Sequence, residues 1–168
     1  MIPVEAASRN FQLAVEHFQA GDLSQAERLA RQVFSRDDPD YADAIHLQGV
    51  IALQRGDFNA AIDLIGKAID ADSSNWNYRF SLGNVFLTLG RLDEAVASYR
   101  RAVELRPDFS AAHGNLGCVL KDIGQPLESI KSLHRALEIA PEDSAVRSNL
   151  LFIGHLLEEQ SAATLLEE

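Results

Sequence analysis

Apolar residues recur along this chain at spacings of three and four, in stretches of about fourteen residues broken by short polar connections. Over 76–89, Arg79, Leu82, Gly83 and Phe86 fall on one helical face. Over 92–105 the matching stripe is Leu92, Ala95, Val96, Tyr99, Ala102 and Val103. This period predicts paired helices over 7–20 and 23–36, 42–55 and 58–71, 76–89 and 92–105, and 110–123 and 126–139. Each pair is joined at a glycine, Gly21, Gly56, Gly90 or Gly124, expected to end the first helix in the left-handed conformation. Pro126 suits the first turn of its helix, where a missing N–H costs nothing, and Pro107 and Pro141 stand just past helix ends.

The whole pattern is periodic. The four turn glycines are 35, 34 and 34 residues apart, and five residues after each comes a small residue, Ala26, Ala61, Ala95 or Ser129. Gly49, Gly83 and Gly117 share a second phase, where the first unit has Ala14. Val33, Ala68, Ala102 and Ala136 share a third. The units are 7–41, 42–75, 76–109 and 110–143, the first one residue longer than the others. No such unit can bury its apolar face alone, so the units must stack. Gly83 and Ala95 mark a place where two helices are expected to come closest, and a large side chain at Gly83 would overpack it.

This spacing resembles the tetratricopeptide repeat family, and the third unit fits it best through Leu82, Gly83, Phe86, Gly90, Ala95, Tyr99, Ala102 and Pro107. The resemblance implies an all-α, right-handed superhelical α-α solenoid of four helix pairs in one domain spanning 1–168. Residues 144–159 read as a capping helix whose Leu150, Phe152, Ile153, Leu156 and Leu157 supply apolar cover. Leu151 stands there at the phase of Gly117 and would block a close partner, and a short tail, 160–168, follows. In the family the first helix of each pair, helix A, lines the concave side and helix B the convex side. Carried over, the groove-facing positions are Phe11, Val15 and Phe18, then His46, Val50, Leu53 and Gln54. Asn77, Phe80, Asn84 and Leu87 follow in the third unit, and Asn115, Cys118, Lys121 and Asp122 in the fourth. Asparagine can hydrogen-bond an extended peptide backbone in both directions, while Phe and Leu would take its side chains. Equally, Phe11, Phe80 and Leu87 suit shared core between neighbouring units. The positions that grip a C-terminal carboxylate in some family members hold Phe11, Val15, Leu47, Asn77 and Ser81, so that mode lacks its basic residues.

Charge and composition narrow the partners. The 168 residues carry 25 acidic against 15 basic side chains, a net charge of -10, which argues against nucleic acid as the main partner. It favours a basic or neutral partner, although total charge is a poor guide to any one groove. A single cysteine excludes an intrachain disulfide framework. No apolar run approaches the ~20 residues that span a bilayer, and Met1-Ile2-Pro3-Val4-Glu5 lacks the start of a signal peptide. The expectation is a cytoplasmic protein without membrane insertion.

Residue patterns that carry chemistry are few. His17, His46, His113, His134 and His155 show no metal-ligand spacing, and His113 suits a helix-packing position. Cys118 has no matched histidine base, and no glycine-rich phosphate loop is present. Asp37-Asp38, Glu158-Glu159 and Glu167-Glu168 read as solvated faces or ends. No cofactor and no catalytic role are expected. The reading is a protein-interaction scaffold that binds a peptide or partner protein in its groove, with homo-oligomerisation through an exposed end face or the groove as an alternative. A further resemblance lies in Ser148-Asn149-Leu150-Leu151-Phe152 and in the stretch from Ala162 to Glu168. Both look like the junction between tetratricopeptide repeats and the glycosyltransferase region in bacterial proteins similar to protein O-linked N-acetylglucosamine transferases. That resemblance implies a substrate-recruiting arm of a larger enzyme.

Overall fold

The computed structural model describes the backbone of residues 4–33 and 35–167 and the side-chain surroundings of residues 8–33 and 35–155. Among these, helices follow the 34-residue beat: α1 (Val4–Gln19), α2 (Leu23–Ala30), α3 (Tyr41–Gln54), α4 (Phe58–Ala71), α5 (Trp76–Thr88), α6 (Leu92–Leu105), α7 (Ser110–Asp122), α8 (Pro126–Ile139) and α9 (Ser144–Glu167). The chain divides into two compact units, residues 1–89 and 90–168.

In the first unit α1 folds back on α2 and α3 on α4, while α2 packs on α3 and α4 on α5. Among the described residues, apolar clusters on successive helices hold it together. Ala14, Ala26, Leu29, Ala30, Leu47 and Ile51 join α1, α2 and α3. Ile45, Ala61, Ile65, Ala68, Ile69, Tyr78 and Val85 join α3, α4 and α5. In the second unit α6, α7, α8 and α9 pack in sequence, and α9 also touches α7. Its end cluster is Leu133, Ala136, Val146 and Ile153.

The periodic small residues are where the packing is tightest. Ala26, Ala61, Ala95 and Ser129 are each fully buried. A Cβ at Gly49 would lie 2.7 Å from Ile65 Cγ1, and one at Gly117 would lie 2.6 Å from Leu133 Cγ. These contacts are closer than real Cβ atoms make, so α3 and α4, and α7 and α8, approach as they do because the glycines lack a side chain. Gly83 and Ala95, expected as another such pair, are both buried and belong to different units.

The turn glycines all have positive φ, between 68° and 81°. At Gly56 the backbone closes a double bond pattern: Gly56 N–H donates to Leu53 O at 3.0 Å and Asp57 N–H to Ala52 O at 2.9 Å. Asp57 then begins the next helix, its carboxylate accepting from Ala60 N–H at 3.1 Å. Asp22 repeats this double role with His17 O and Gln25 N–H. Arg91 and Gln125 occupy the same place without a side-chain cap.

Three expectations need correction. The second helix, expected over 23–36, ends at Ala30. Gln32 and Val33 then bond three residues back, to Leu29 and Ala30, so the last turn tightens and the chain leaves the helix. Val33 still keeps its buried phase, at 2% exposure. Asp38 is not a solvated residue: it is buried before Pro39, and its carboxylate accepts from Asp40 N–H at 3.0 Å, shaping the turn into α3. At the C-terminal end, the expected break at 159 is absent from the backbone, and α9 continues to Glu167. Of its predicted cover, Ile153 is fully buried and Leu150 packs on the end cluster, but Phe152 is exposed and Val146 takes the other buried place. Leu156, Leu157, Leu165 and Leu166 lie outside the residues whose side chains are described.

Candidate peptide-binding face

In the first unit, α3 and α5 are the second and third helices A, and two side-chain bridges join them. Tyr78 Oη donates to Asp43 Oδ1 at 2.6 Å. His46 Nε2 lies 2.8 Å from Ser81 Oγ. Between the bridges the His46 and Tyr78 rings lie 4.7 Å apart, tilted by 35°. Burial pushes the His46 pKa down to about 4 against the opposing pull of Asp43, so the ring is neutral at neutral pH. Burial, then the bond to Asp43, pushes the Tyr78 phenol well above its ordinary range. Ser81, His46 and Asp43 bring together the residue types of a nucleophilic relay, but Ser81 is buried and Asp43 bonds to Tyr78. The arrangement braces two helices.

The groove positions sort around this brace. His46 is drawn into the contact itself. Val50 and Leu53 come one and two turns later on the same face of α3, half-buried, and Leu53 packs against the α3–α5 cluster. On α5, Asn77 is half-buried and its backbone N–H is capped by Asn75 Oδ1 at 3.0 Å. Phe80 and Asn84 follow half-buried, and Leu87 is 36% exposed. Gln54 is exposed. In α1, Phe11, Val15 and Phe18 pack against the α1–α3 cluster, so their main contact is core.

In the second unit the predicted positions meet α9. Asn149 Nδ2 donates to Cys118 Sγ at 3.4 Å, and Lys121 Nζ lies 5.6 Å from the Phe152 ring centroid. Lys121 also lies 3.4 Å from the Asp122 carboxylate. Burial pushes the Cys118 thiol pKa up, which favours the protonated form. Asn115 Nδ2 reaches Tyr99 Oη at a long 3.5 Å, and burial pushes that phenol up to about 12.

Among the described residues no group of three or more His, Cys, Asp or Glu could hold a metal ion. No helix there is long and apolar enough to cross a membrane.

Family models described as tetratricopeptide repeat match residues 11–65, 46–109 and 110–143. The chain belongs to the tetratricopeptide repeat family. Protein bimA of Emericella nidulans is 33% identical to it over 70 residues, which is 42% of this chain and only 9% of that protein. Among solved structures, MamA 41-end from Desulfovibrio magneticus RS-1 superposes with a TM-score of 0.79 at 17% identity, covering 95% of this chain and 89% of that one. The first repeat domain of Spaghetti (RPAP3), bound to the HSP90 peptide SRMEEVD, gives 0.67 at 23% identity over 70% of this chain and 93% of that one. At these identities the structural likeness establishes the repeat fold.

The bracing residues Asp43, Tyr78 and Ser81 were not among the expected site residues, nor were Asn149 and Phe152. A signal existed in the numbering. Both α3–α5 bridges join residues 35 apart, one repeat plus one residue, so the period itself pairs neighbouring helices A. A second signal is phase. His113 Nε2 lies 3.1 Å from Pro107 O, and Arg147 donates to Pro141 O at 2.5 Å. Each polar side chain ties down the carbonyl six residues before it, and the two are 34 residues apart. His113 is thus a packing histidine, its pKa lowered by burial.

Proposed function

We propose that the chain is a non-catalytic, cytoplasmic protein-interaction scaffold, and that the helix A face of its first unit receives an extended segment of a partner protein. The observation that carries this is the brace. Asp43–Tyr78 and His46–Ser81 fix α3 against α5, so Val50, Leu53, Phe80, Asn84 and Leu87 are presented from two helices held in one register. Preorganised side chains lose less freedom on binding. Phe80, Val50 and Leu87 offer apolar contact, and Asn84 an amide for the peptide backbone. Asn77 extends the row toward the start of α5. Asn115, Cys118 and Lys121 offer the corresponding face of the second unit, narrowed by Asn149 and Phe152.

The test begins with a photoreactive residue at Leu87, with a second at exposed Leu127 as the control. A partner captured at Leu87 and not at Leu127 is then titrated against Asn84→Ala. Loss of one backbone hydrogen bond, about 0.5–1.5 kcal/mol, weakens binding several-fold in a variant whose circular dichroism spectrum shows it folded. Equal affinity for wild type and variant, or capture only at Leu127, defeats this reading.

The likeness of 148–152 and 162–168 to a glycosyltransferase junction supports a second reading, the recruiting arm of a larger O-linked glycosyltransferase-like enzyme. It rests on those sequence stretches, and it is tested by whether captured partners carry O-linked sugar.

A further inference from the structure

By phase α9 is a helix A, and one of its faces stands open. It repeats α7 at a distance of 34 residues: Val146 and Ile153 are buried as Ala112 and Val119 are, and Leu150 packs on the end cluster. On α7 the face at Gly117 is closed by Leu133 of α8. On α9 the residue of that phase is Leu151, which is 64% exposed. Beside it a cleft of about 520 Å³ runs between α8 and α9. Ile130 lines it from α8, and Arg147, Leu150, Leu151 and Gly154 line it from α9. A Cβ built on Gly154 meets nothing within 4 Å, so one helical face carries a knob at Leu151 and a recess three residues on.

Whatever covers this face must itself hold a recess for Leu151. A helix at the spacing that α8 keeps from Gly117 cannot, because there a single Cβ already falls 2.6 Å from Leu133 Cγ. A further helix B packed like that one is therefore excluded. The helix supplies its own complement. Arg147, Leu151, Gly154 and position 158 recur at four, three and four, the 3.5-residue seam of paired helices. When a second α9 is reversed about the midpoint between Phe152 and Ile153, Leu151 meets Gly154 of the copy, and Gly154 meets the copy's Leu151. Position 158 of the copy, a glutamate in the sequence, comes level with Arg147. Each pairing is returned by its twin, as a two-fold interface requires.

We propose that this face pairs with itself: two copies of the chain join through antiparallel α9 helices, each Leu151 entering the other copy's cleft at Gly154. Ile130 and Leu150 supply the apolar walls that receive it. Both walls belong to the second unit, so the proposal does not depend on the face formed by α3 and α5.

Sedimentation equilibrium of the chain at several concentrations reads the pairing. The weight-average mass rises with concentration from 18.5 kDa toward twice that value. Leu151→Asp, which puts an unpaired charge in the seam, and Gly154→Leu, which fills the recess, each weaken association at least about tenfold. Leu151 is exposed and Gly154 unobstructed, so both variants keep the wild-type circular dichroism spectrum; should one lose it, the other decides. Asn84→Ala associates like wild type. Mild oxidation reads the register, with wild type as the background for Cys118. An equal mixture of Leu151→Cys and Gly154→Cys chains gives more disulfide-linked dimer than either alone. A chain that stays monomeric at every concentration leaves the face to a helix of another protein or of a longer chain, and overturns the proposal. Association untouched by the folded variants, an equal loss in Asn84→Ala, or a mixture that cross-links no better than its components overturns it too. None of these results bears on the Leu87 capture experiment.

Discussion

Two glycines in helix interiors make a matched test of how close these helices pack. Gly66 lies within α4, and a Cβ built on it meets nothing within 4 Å. Gly117 lies within α7, and its Cβ would sit 2.6 and 2.7 Å from Leu133 Cγ and Cδ2 and 3.2 Å from Ser129 O. Replacing an interior helix glycine by alanine restricts the unfolded chain and gains about 0.5–1 kcal/mol when nothing obstructs it. Gly66→Ala therefore stabilises by about that amount. Gly117→Ala receives the same gain, but Leu133 is fully buried and the carbonyl behind it is backbone, so the helices must part. Overpacking of this kind costs about 1–3 kcal/mol. The two variants should therefore differ by about 1–3 kcal/mol, with Gly117→Ala the weaker and at or below wild type. Urea denaturation followed by far-ultraviolet circular dichroism, with hydrogen exchange across α7 and α8 to localise the loss, measures both. If Gly117→Ala proves as stable as Gly66→Ala, small residues are not what sets the helix separation.

Three further outcomes follow from named contacts. Asp57→Ala removes the acceptor for Ala60 N–H and lowers stability by about 0.5–2 kcal/mol, whereas Asp57→Asn recovers most of it in the same denaturation assay. Ser129→Ala deletes the buried 2.6 Å bond to Gly117 O and costs about 0.5–1.5 kcal/mol, read as a lower urea midpoint. For His46, the folded pKa of about 4 lies below its ordinary 6.5, so the unfolded chain takes up the proton first. Its contribution is complete above pH 6.5 and is lost as pH falls toward 4, with a slope of at most about 1.4 kcal/mol per pH unit. In a pH series of urea midpoints, His46→Gln flattens that part of the profile, and an unchanged profile refutes the buried, neutral assignment.

The repeat was legible because it is written in residues that few others can replace. Gly56 and Gly124 supply positive φ, Gly49 and Gly117 permit contact, and Pro126 starts α8. Where one residue departs from the beat, the reading failed. The extra residue and Asp38-Pro39 loosen the end of the first unit, and periodicity alone carried α2 six residues too far. The face was legible only as a set of positions. That His46 turns inward to Ser81, or that Phe11 and Val15 serve the α1–α3 cluster, depends on which neighbouring helix each side chain meets. Amphipathic spacing does not choose between a groove and a seam.

Asp57 closes α3 through its N–H and opens α4 through its carboxylate, with no residue between the two tasks. The turn between α3 and α4 therefore has no slack. A residue inserted between Gly56 and Asp57 would separate the closing bond from the opening cap and rotate α4 against Gly49. The connection from α2 to α3 already carries the chain's one supernumerary residue. Length variation, whether drifted in by evolution or written in to graft a tag or a sensor, is thus channelled to the junctions between pairs.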